Sequence, residues 1–198
     1  MPRVISGSAR GTHLSAPRGD LTRPTADRVK EALFSILTPA LPADGFLDLY
    51  AGTGQIGLEA ASRGSRPVVL VEQARPSLEI IKTNLAKTHL TGEVALLAGN
   101  VFTVVSRLVS EGRRFEIIFM DPPYKAALSD FNRLAPELEI LMPDNGILVL
   151  EHDSGNTAPP FVTNLQLNRS CQYGMAMLSF YQKHLGEQSV HSAIPGPD

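Results

Sequence analysis

The feature that most constrains this chain is a beat of short apolar runs set between longer amphipathic ones. Phe46–Tyr50, Pro67–Val71, Val94–Ala98, Glu116–Met120 and Ile147–Leu150 are apolar on nearly every residue. Strands of that kind are covered on both faces, which requires a parallel sheet with helices on each side. The stretches between them, about 56–63, 74–88, 101–111 and 127–141, read as those helices; in the second, Leu78, Ile81 and Leu85 share one side. Five strands with helices between them predict a doubly wound α/β domain. Val162–Leu167 and Met175–Tyr181 add two strands, joined by a turn around Cys171–Gly174, as an antiparallel hairpin ending a seven-stranded, mostly parallel sheet.

Upstream, Thr25 can cap a helix whose first turn carries Asp27 and whose apolar stripe is Val29, Leu33, Ile36 and Leu37. Pro39 and Pro42 end it. Before it, Val4–Ile5 and His13–Leu14 flank Gly-Ser-Ala-Arg-Gly, so residues 1–24 read as a short hairpin or flexible arm. Residues 25–185 make the domain, and the polar tail 186–198 is expected to be disordered.

Charge is uneven. Residues 1–30 carry six basic and two acidic groups, while the other 168 carry twelve basic and eighteen acidic. A basic head on an acidic body suits a face that meets polyanions. A chain of 198 residues fits one domain and needs no staple. One cysteine, Cys171, excludes an internal disulfide framework and any cysteine-built zinc cluster. No apolar run approaches the roughly 20 residues of a membrane span, and the N-terminus lacks a secretory core. A soluble, reducing, cytoplasmic setting is the expectation.

After the first strand comes Asp48-Leu-Tyr-Ala51-Gly52-Thr53-Gly54-Gln-Ile-Gly57, a G-x-G-x-x-G loop opening a helix. Gly52 and Gly54 permit a tight turn against which a ligand can lie, and Gly57 lets helix and strand pack closely. Twenty residues beyond Gly52, Glu72 ends the second strand, where a carboxylate can take both hydroxyls of a ribose. The pair points to a nucleoside cofactor. A dinucleotide dehydrogenase shows the same pattern, but Asp48 before the loop would repel a pyrophosphate and suits an ammonium. S-adenosyl-L-methionine is therefore favoured.

The fourth strand runs directly into Asp121-Pro122-Pro123-Tyr124. Two prolines remove two N–H donors and stiffen the turn, fixing the Asp121 carboxylate and the Pro122 carbonyl as acceptors. Acceptors beside a ring suit an exocyclic base amine. Hydrogen bonds from both amine hydrogens favour a pyramidal nitrogen and free its lone pair for attack on a methyl. Such a base must be unpaired or flipped, and stacked on Tyr124.

These motifs resemble a class I S-adenosylmethionine-dependent methyltransferase with a Rossmann-like domain. More narrowly, the chain resembles the bacterial 16S ribosomal RNA guanine-N2-methyltransferase (RsmD-like) family over about residues 3–182. The likeness lies in Arg3-Val-Ile-Ser-Gly-Ser-Ala-Arg10-Gly, Arg23-Pro-Thr-Ala-Asp-Arg28-Val, Leu47-Asp-Leu-Tyr-Ala-Gly-Thr-Gly54, Asp121-Pro-Pro-Tyr124 and Tyr173-Gly174. It implies that Asp48, Ala51, Gly52, Thr53 and Gly54 line the methionine part, Glu72 the ribose, and Asn100 with Val101 the adenine. It implies that Asp121, Pro122, Pro123 and Tyr124 hold the guanine, and that Arg10, Arg23 and Arg28 meet the RNA. The family usually carries Asp where Asn100 stands. The implied partner is small-subunit ribosomal RNA or an assembling 30S subunit, met by a monomer without metal or membrane.

The histidines, His13, His89, His152, His184 and His191, lack metal-ligand spacing. Cys171 reads as a small buried side chain, and Glu151 and Asp153 as surface or loop-capping groups. Two other functions fit the motifs less well. An amino-methyltransferase of DNA or another RNA would share the acidic corner, although a DNA enzyme would be expected to carry a recognition domain. A non-enzymatic assembly factor would have no use for all three motifs.

Overall fold

In a computed structural model of the chain, residues 2–17 and 24–184 are described. In chain order the elements are α1 (Pro24–Leu37), β1 (Asp44–Leu49), α2 (Gln55–Ser62), β2 (Arg66–Glu72), α3 (Arg75–Thr88) and β3 (Val94–Ala98). Then follow α4 (Val101–Ser110), β4 (Ile117–Met120), α5 (Ala127–Leu141), β5 (Ile147–Asp153), β6 (Phe161–Val162), β7 (Leu165–Tyr173) and β8 (Ala176–Lys183). The sheet order is β3-β2-β1-β4-β5-β8-β7-β6, with the first five strands parallel and the rest antiparallel.

The apolar runs sort by parity into two cores. Phe46, Val68, Leu70, Ile117, Phe119 and Val149 face the α1–α2–α3 side. Leu47, Leu49, Val69, Val71, Ile118, Met120, Leu148 and Leu150 face α4 and α5. All are buried, as strands covered on both faces must be.

The sheet has eight strands where seven were expected. Thr163 takes a left-handed backbone (φ 54°) and splits the Val162–Leu167 run into β6 and the start of β7. The following turn also lies later than expected. β7 continues through Cys171 to Tyr173, and Gly174 (φ 64°) with Met175 makes the reversal. Cys171 is thus a half-buried strand residue, not a buried one. Helix α1 begins at Pro24, so Thr25 lies inside it instead of capping it; proline suits the first helical position because it has no N–H to satisfy. Its stripe packs as expected, with Val29, Leu33 and Leu37 buried.

The N-terminal segment is a docked hairpin. Arg3 and His13 form an antiparallel bridge, and Val4 and Leu14 are buried in the α1–α2–α3 core. Buried Glu59 on α2 accepts from Ile5 N (2.7 Å) and Ser6 N (3.0 Å) and pairs with Arg63 Nε (2.8 Å). Gly7 is required at its position: φ is +84° and a Cβ would lie 1.8 Å from the Ser62 carbonyl oxygen. Residues 18–23, and the tail at 186–198 expected to be disordered, lie outside the described residues. Among the described residues no helix is long and apolar enough to cross a membrane, and no three His, Cys, Asp or Glu side chains could hold a metal.

Candidate active site

An open parallel sheet binds ligands at the carboxyl ends of its strands, where the winding reverses. Here that point falls between β1 and β4, which pair directly. The glycine loop leaves β1 and the Asp121 corner leaves β4, so the two motifs come together although some seventy residues separate them.

The loop is held from below and from both flanks. Gly52 (φ 57°) and Gly54 (φ 76°) take left-handed backbone, and so does Tyr50 (φ 62°). Gly54 N donates to the Ala51 carbonyl (2.7 Å), closing the turn, while Ala51 N donates to Val71 on β2 (2.9 Å). Thr53 is fixed through its carbonyl, which accepts from Asn84 Nδ2 (2.9 Å). Asn84 is fully buried on α3 and also exchanges two bonds with the Ser15 backbone, at 2.7 and 3.1 Å. The N-terminal hairpin and the glycine loop therefore share one side chain.

Asp48 was expected to meet an ammonium directly. The structure buries it beneath the loop, with Oδ2 accepting from Gly57 N (2.8 Å). Burial pushes its carboxyl from the ordinary 3.8 up to about 8; the Gly57 N–H opposes this, and Asp121 and Glu72 add to it. Gly57 itself admits no side chain, since a Cβ there would lie 2.1 Å from Leu70 Cδ2.

Glu72 reaches the loop. Its Oε2 accepts from Gly52 N (2.8 Å), and Oε1 accepts from Gln73 N and Ala74 N (both 2.8 Å). Three amides thus aim one carboxylate; Oε1 already accepts two bonds, while Oε2 accepts one and keeps lone-pair capacity for a hydroxyl donor. Beside it, Val71, Gly99, Val101 and Tyr50 line a narrow apolar slot. Asn100 does not line that slot. Its Oδ1 caps α4 by accepting from Phe102 N (3.0 Å), and its Nδ2 points to Gln73 Oε1 (3.4 Å). Asn replaces Asp here without loss of the cap, because both offer the same acceptor.

A cavity of about 540 Å³ joins Glu72 to the corner after β4, with Tyr50, Asp121, Pro122, Pro123, Tyr124 and Glu151 in its wall. The corner is a closed turn: Ala126 N donates to the Pro123 carbonyl (2.8 Å) and Ala127 N to that of Tyr124 (3.4 Å). Tyr124 keeps 37% of its surface exposed at the rim. Asp121 is open toward the cleft while protein crowds it on its other sides, and that crowding lifts its carboxyl above the usual range. Glu151 is raised by burial and then by Asp121.

Sequence reasoning missed two residues. Glu151, read as a surface group, lies in the cavity wall because β5 ends beside β4. Tyr50, which went unremarked, stands in both the slot and the cavity, donating its hydroxyl to Asp130 Oδ2 (2.7 Å); burial and Asp130 keep that phenol protonated. Its place between strand end and glycines was the available signal. Arg10 and Arg28 are exposed, on the hairpin turn and on α1, and neither lines the cavity; Arg23 lies outside the described residues.

The geometry fits a nucleoside joined to an amino acid. A carboxylate aimed by amides, an apolar slot beside it, and bare backbone at Gly52, where a Cβ would meet almost nothing, form one continuous surface.

Known proteins resemble this chain over most of its length. YlbH of Bacillus subtilis (strain 168) is 35% identical over 182 residues, covering 91% of this chain and 98% of its own. Ribosomal RNA small subunit methyltransferase D of Escherichia coli (strain K12) is 32% identical over 187 residues, covering 94% and 92%. The solved structure of a hypothetical protein from Thermus thermophilus superposes with a TM-score of 0.79 at 31% identity, over 92% of this chain and 99% of that one. The model of one family, described as "Conserved hypothetical protein 95", matches residues 2–182, and the chain belongs to that family.

Proposed function

We propose that this chain is an S-adenosyl-L-methionine-dependent methyltransferase that acts on the exocyclic N2 amine of a guanine in small-subunit ribosomal RNA, free or in an assembling 30S subunit. One observation carries the reading: Glu72 and the Asp121–Tyr124 corner line the same cavity, so a nucleoside donor and a base amine would meet there. The Escherichia coli relative, named as a small-subunit ribosomal RNA methyltransferase, supports the RNA class.

The glycine loop and Glu72 would hold the donor's amino-acid and ribose parts, and the slot at Val101 its adenine. When bound, that donor supplies an electrophilic sulfonium methyl. The chain's own residues do the rest. Asp121 and the Pro122 carbonyl accept the two amine hydrogens, which opposes delocalisation of the nitrogen lone pair into the ring and directs it at the methyl. Tyr124 stacks the flipped base and excludes water from one face. Asp121, with its raised carboxyl pKa, can take the proton the nitrogen sheds once alkylated. Exposed Arg10 and Arg28 would add salt-dependent affinity for phosphates without reading sequence.

The test is transfer of labelled methyl from the donor to small subunits from cells lacking this protein. Label in N2-methylguanine, abolished by Asp121→Ala, is expected. Label in DNA alone, or donor binding without transfer to any nucleic acid, would overturn the reading.

A further inference from the structure

We propose that Glu151 is a specificity-determining residue of this cleft, accepting the N1–H of the target guanine while Asp121 and the Pro122 carbonyl accept the N2 hydrogens. The inference rests on the reading of the substrate as a guanine amine.

Met120 on β4 and Leu150 on β5 are register partners in the parallel sheet. The next residues, Asp121 and Glu151, therefore leave adjacent strands side by side, at the ~4.8 Å spacing of neighbouring strands. By strand alternation both side chains fall on one face, and both line the same cavity. On its other flank Glu151 is paired with Leu178 of β8, an apolar residue that supplies no cation. Among the described residues, no ion pair or side-chain hydrogen bond accounts for either carboxylate.

With both carboxyls ionised, the wall these groups form has only acceptors. Pro122 and Pro123 contribute no N–H, and the turn consumes the carbonyls of Pro123 and Tyr124 while leaving that of Pro122. Three acceptors remain in a row: two carboxylates and one carbonyl. The Watson–Crick edges of the bases differ in what they offer such a wall. Guanine presents N1–H and the N2 amine, all donors on adjacent atoms. Adenine and cytosine each present an amine beside a ring nitrogen lone pair, which would face a carboxylate across the cleft. An unpaired lone pair held against an anion in the cleft is penalised far more than a missing contact. Burial and mutual repulsion disfavour the charged forms of both carboxyls, and an edge that brings donors to each offsets that.

The test alters only the N1–O6 edge of the substrate. Wild-type enzyme and labelled donor first map the methylated guanine in small-subunit RNA; subunits are then reconstituted with 2-aminopurine at that position. This base keeps the N2 amine and lacks only the N1 hydrogen and O6. For the wild type, kcat/KM should fall about 10- to 100-fold from guanine to 2-aminopurine, the range of one charged hydrogen bond. In Glu151→Ala that gap should close to within about threefold. Glu151→Gln, whose amide can donate to the bare N1, should favour 2-aminopurine over guanine relative to the wild type. Donor affinity measured by calorimetry, and thermal unfolding, should match the wild type in both variants.

An undiminished gap in Glu151→Ala and Glu151→Gln would overturn the proposal. So would a tenfold loss of donor affinity with base preference intact, which would assign Glu151 to the donor. Failure of the wild type to label any guanine N2 would instead defeat the underlying reading, whatever Glu151 does.

Discussion

Asn84 is the side chain whose removal should be felt in two places at once. It is fully buried and makes three hydrogen bonds: from Ser15 N (2.7 Å), to the Ser15 carbonyl (3.1 Å) and to the Thr53 carbonyl (2.9 Å). At about 1 kcal/mol net for each bond, Asn84→Ala forfeits about 3 kcal/mol, and an orphaned buried amide at Ser15 can add about 1 more. Ser15 and Thr53 are only half-buried, so water can recover part of that; a loss of about 2–4 kcal/mol is expected. For a chain of this size that is roughly a 5–15 °C drop in Tm. Because Thr53 lies in the glycine loop, donor affinity should fall as well. Ser15→Ala is the control, since both bonds to Asn84 use the Ser15 backbone and its hydroxyl touches only exposed Lys87. It should cost under about 0.5 kcal/mol. The measurements are urea unfolding and titration calorimetry with the donor. A loss below about 1 kcal/mol for Asn84→Ala, or equal losses for the two variants, would refute the account.

Other expectations follow from single groups. The Asp48 carboxyl, at about 8 when folded and 3.8 otherwise, holds a proton in the folded chain that the unfolded chain has released. Its contribution is therefore fully present below about pH 4 and lost as pH rises toward 8, so Asp48→Asn should be more stable relative to wild type at pH 8 than at pH 5. Parallel stability curves would contradict this. Tyr124→Ala should reduce methyl transfer while leaving donor affinity near wild type, because the ring stands at the rim; an equal loss of both would remove its stacking role. Gly57→Ala must displace Leu70 from 2.1 Å and should destabilise by about 1–3 kcal/mol, read by thermal unfolding.

Much of this molecule is legible in the chain because burial on two faces writes itself as unbroken apolar runs. Val94–Ala98 is found as a strand with the same bounds, and 127–141 as a helix. The glycine loop and the Asp121 corner are equally plain, since each needs residues that few other structures require. Three matters are less so. Thr163 has a β-branched side chain and a left-handed backbone, a conflict settled only by the surrounding hairpin. Asp48 looks like a ligand group because strand-end acids often are, yet its depth depends on Leu70 and α2 packing above it. Glu151 gains its place from the alignment of β5 with β4, a long-range pairing that no local pattern records.

The hairpin at the front of the chain also proves more than a basic arm. Val4 and Leu14 belong to the core, and Glu59 is a buried anion satisfied largely by the backbone amides of Ile5 and Ser6. Cutting residues 1–24 would strip those partners from Glu59 and expose the floor beneath α1, so such a truncation tests folding before it tests RNA affinity.

The strand order divides labour across the sheet. Among the described residues, those lining the cavity come from the half built by β1 to β5, and none from β6, β7 or β8. Those last three strands brace one side of the chemistry without taking part in it. The reversal at 163–164, at the opposite edge of the sheet from the strands' carboxyl ends, is thus a natural attachment point: a fluorophore, an affinity handle or a grafted recognition loop placed there would travel with the enzyme and leave its working edge untouched.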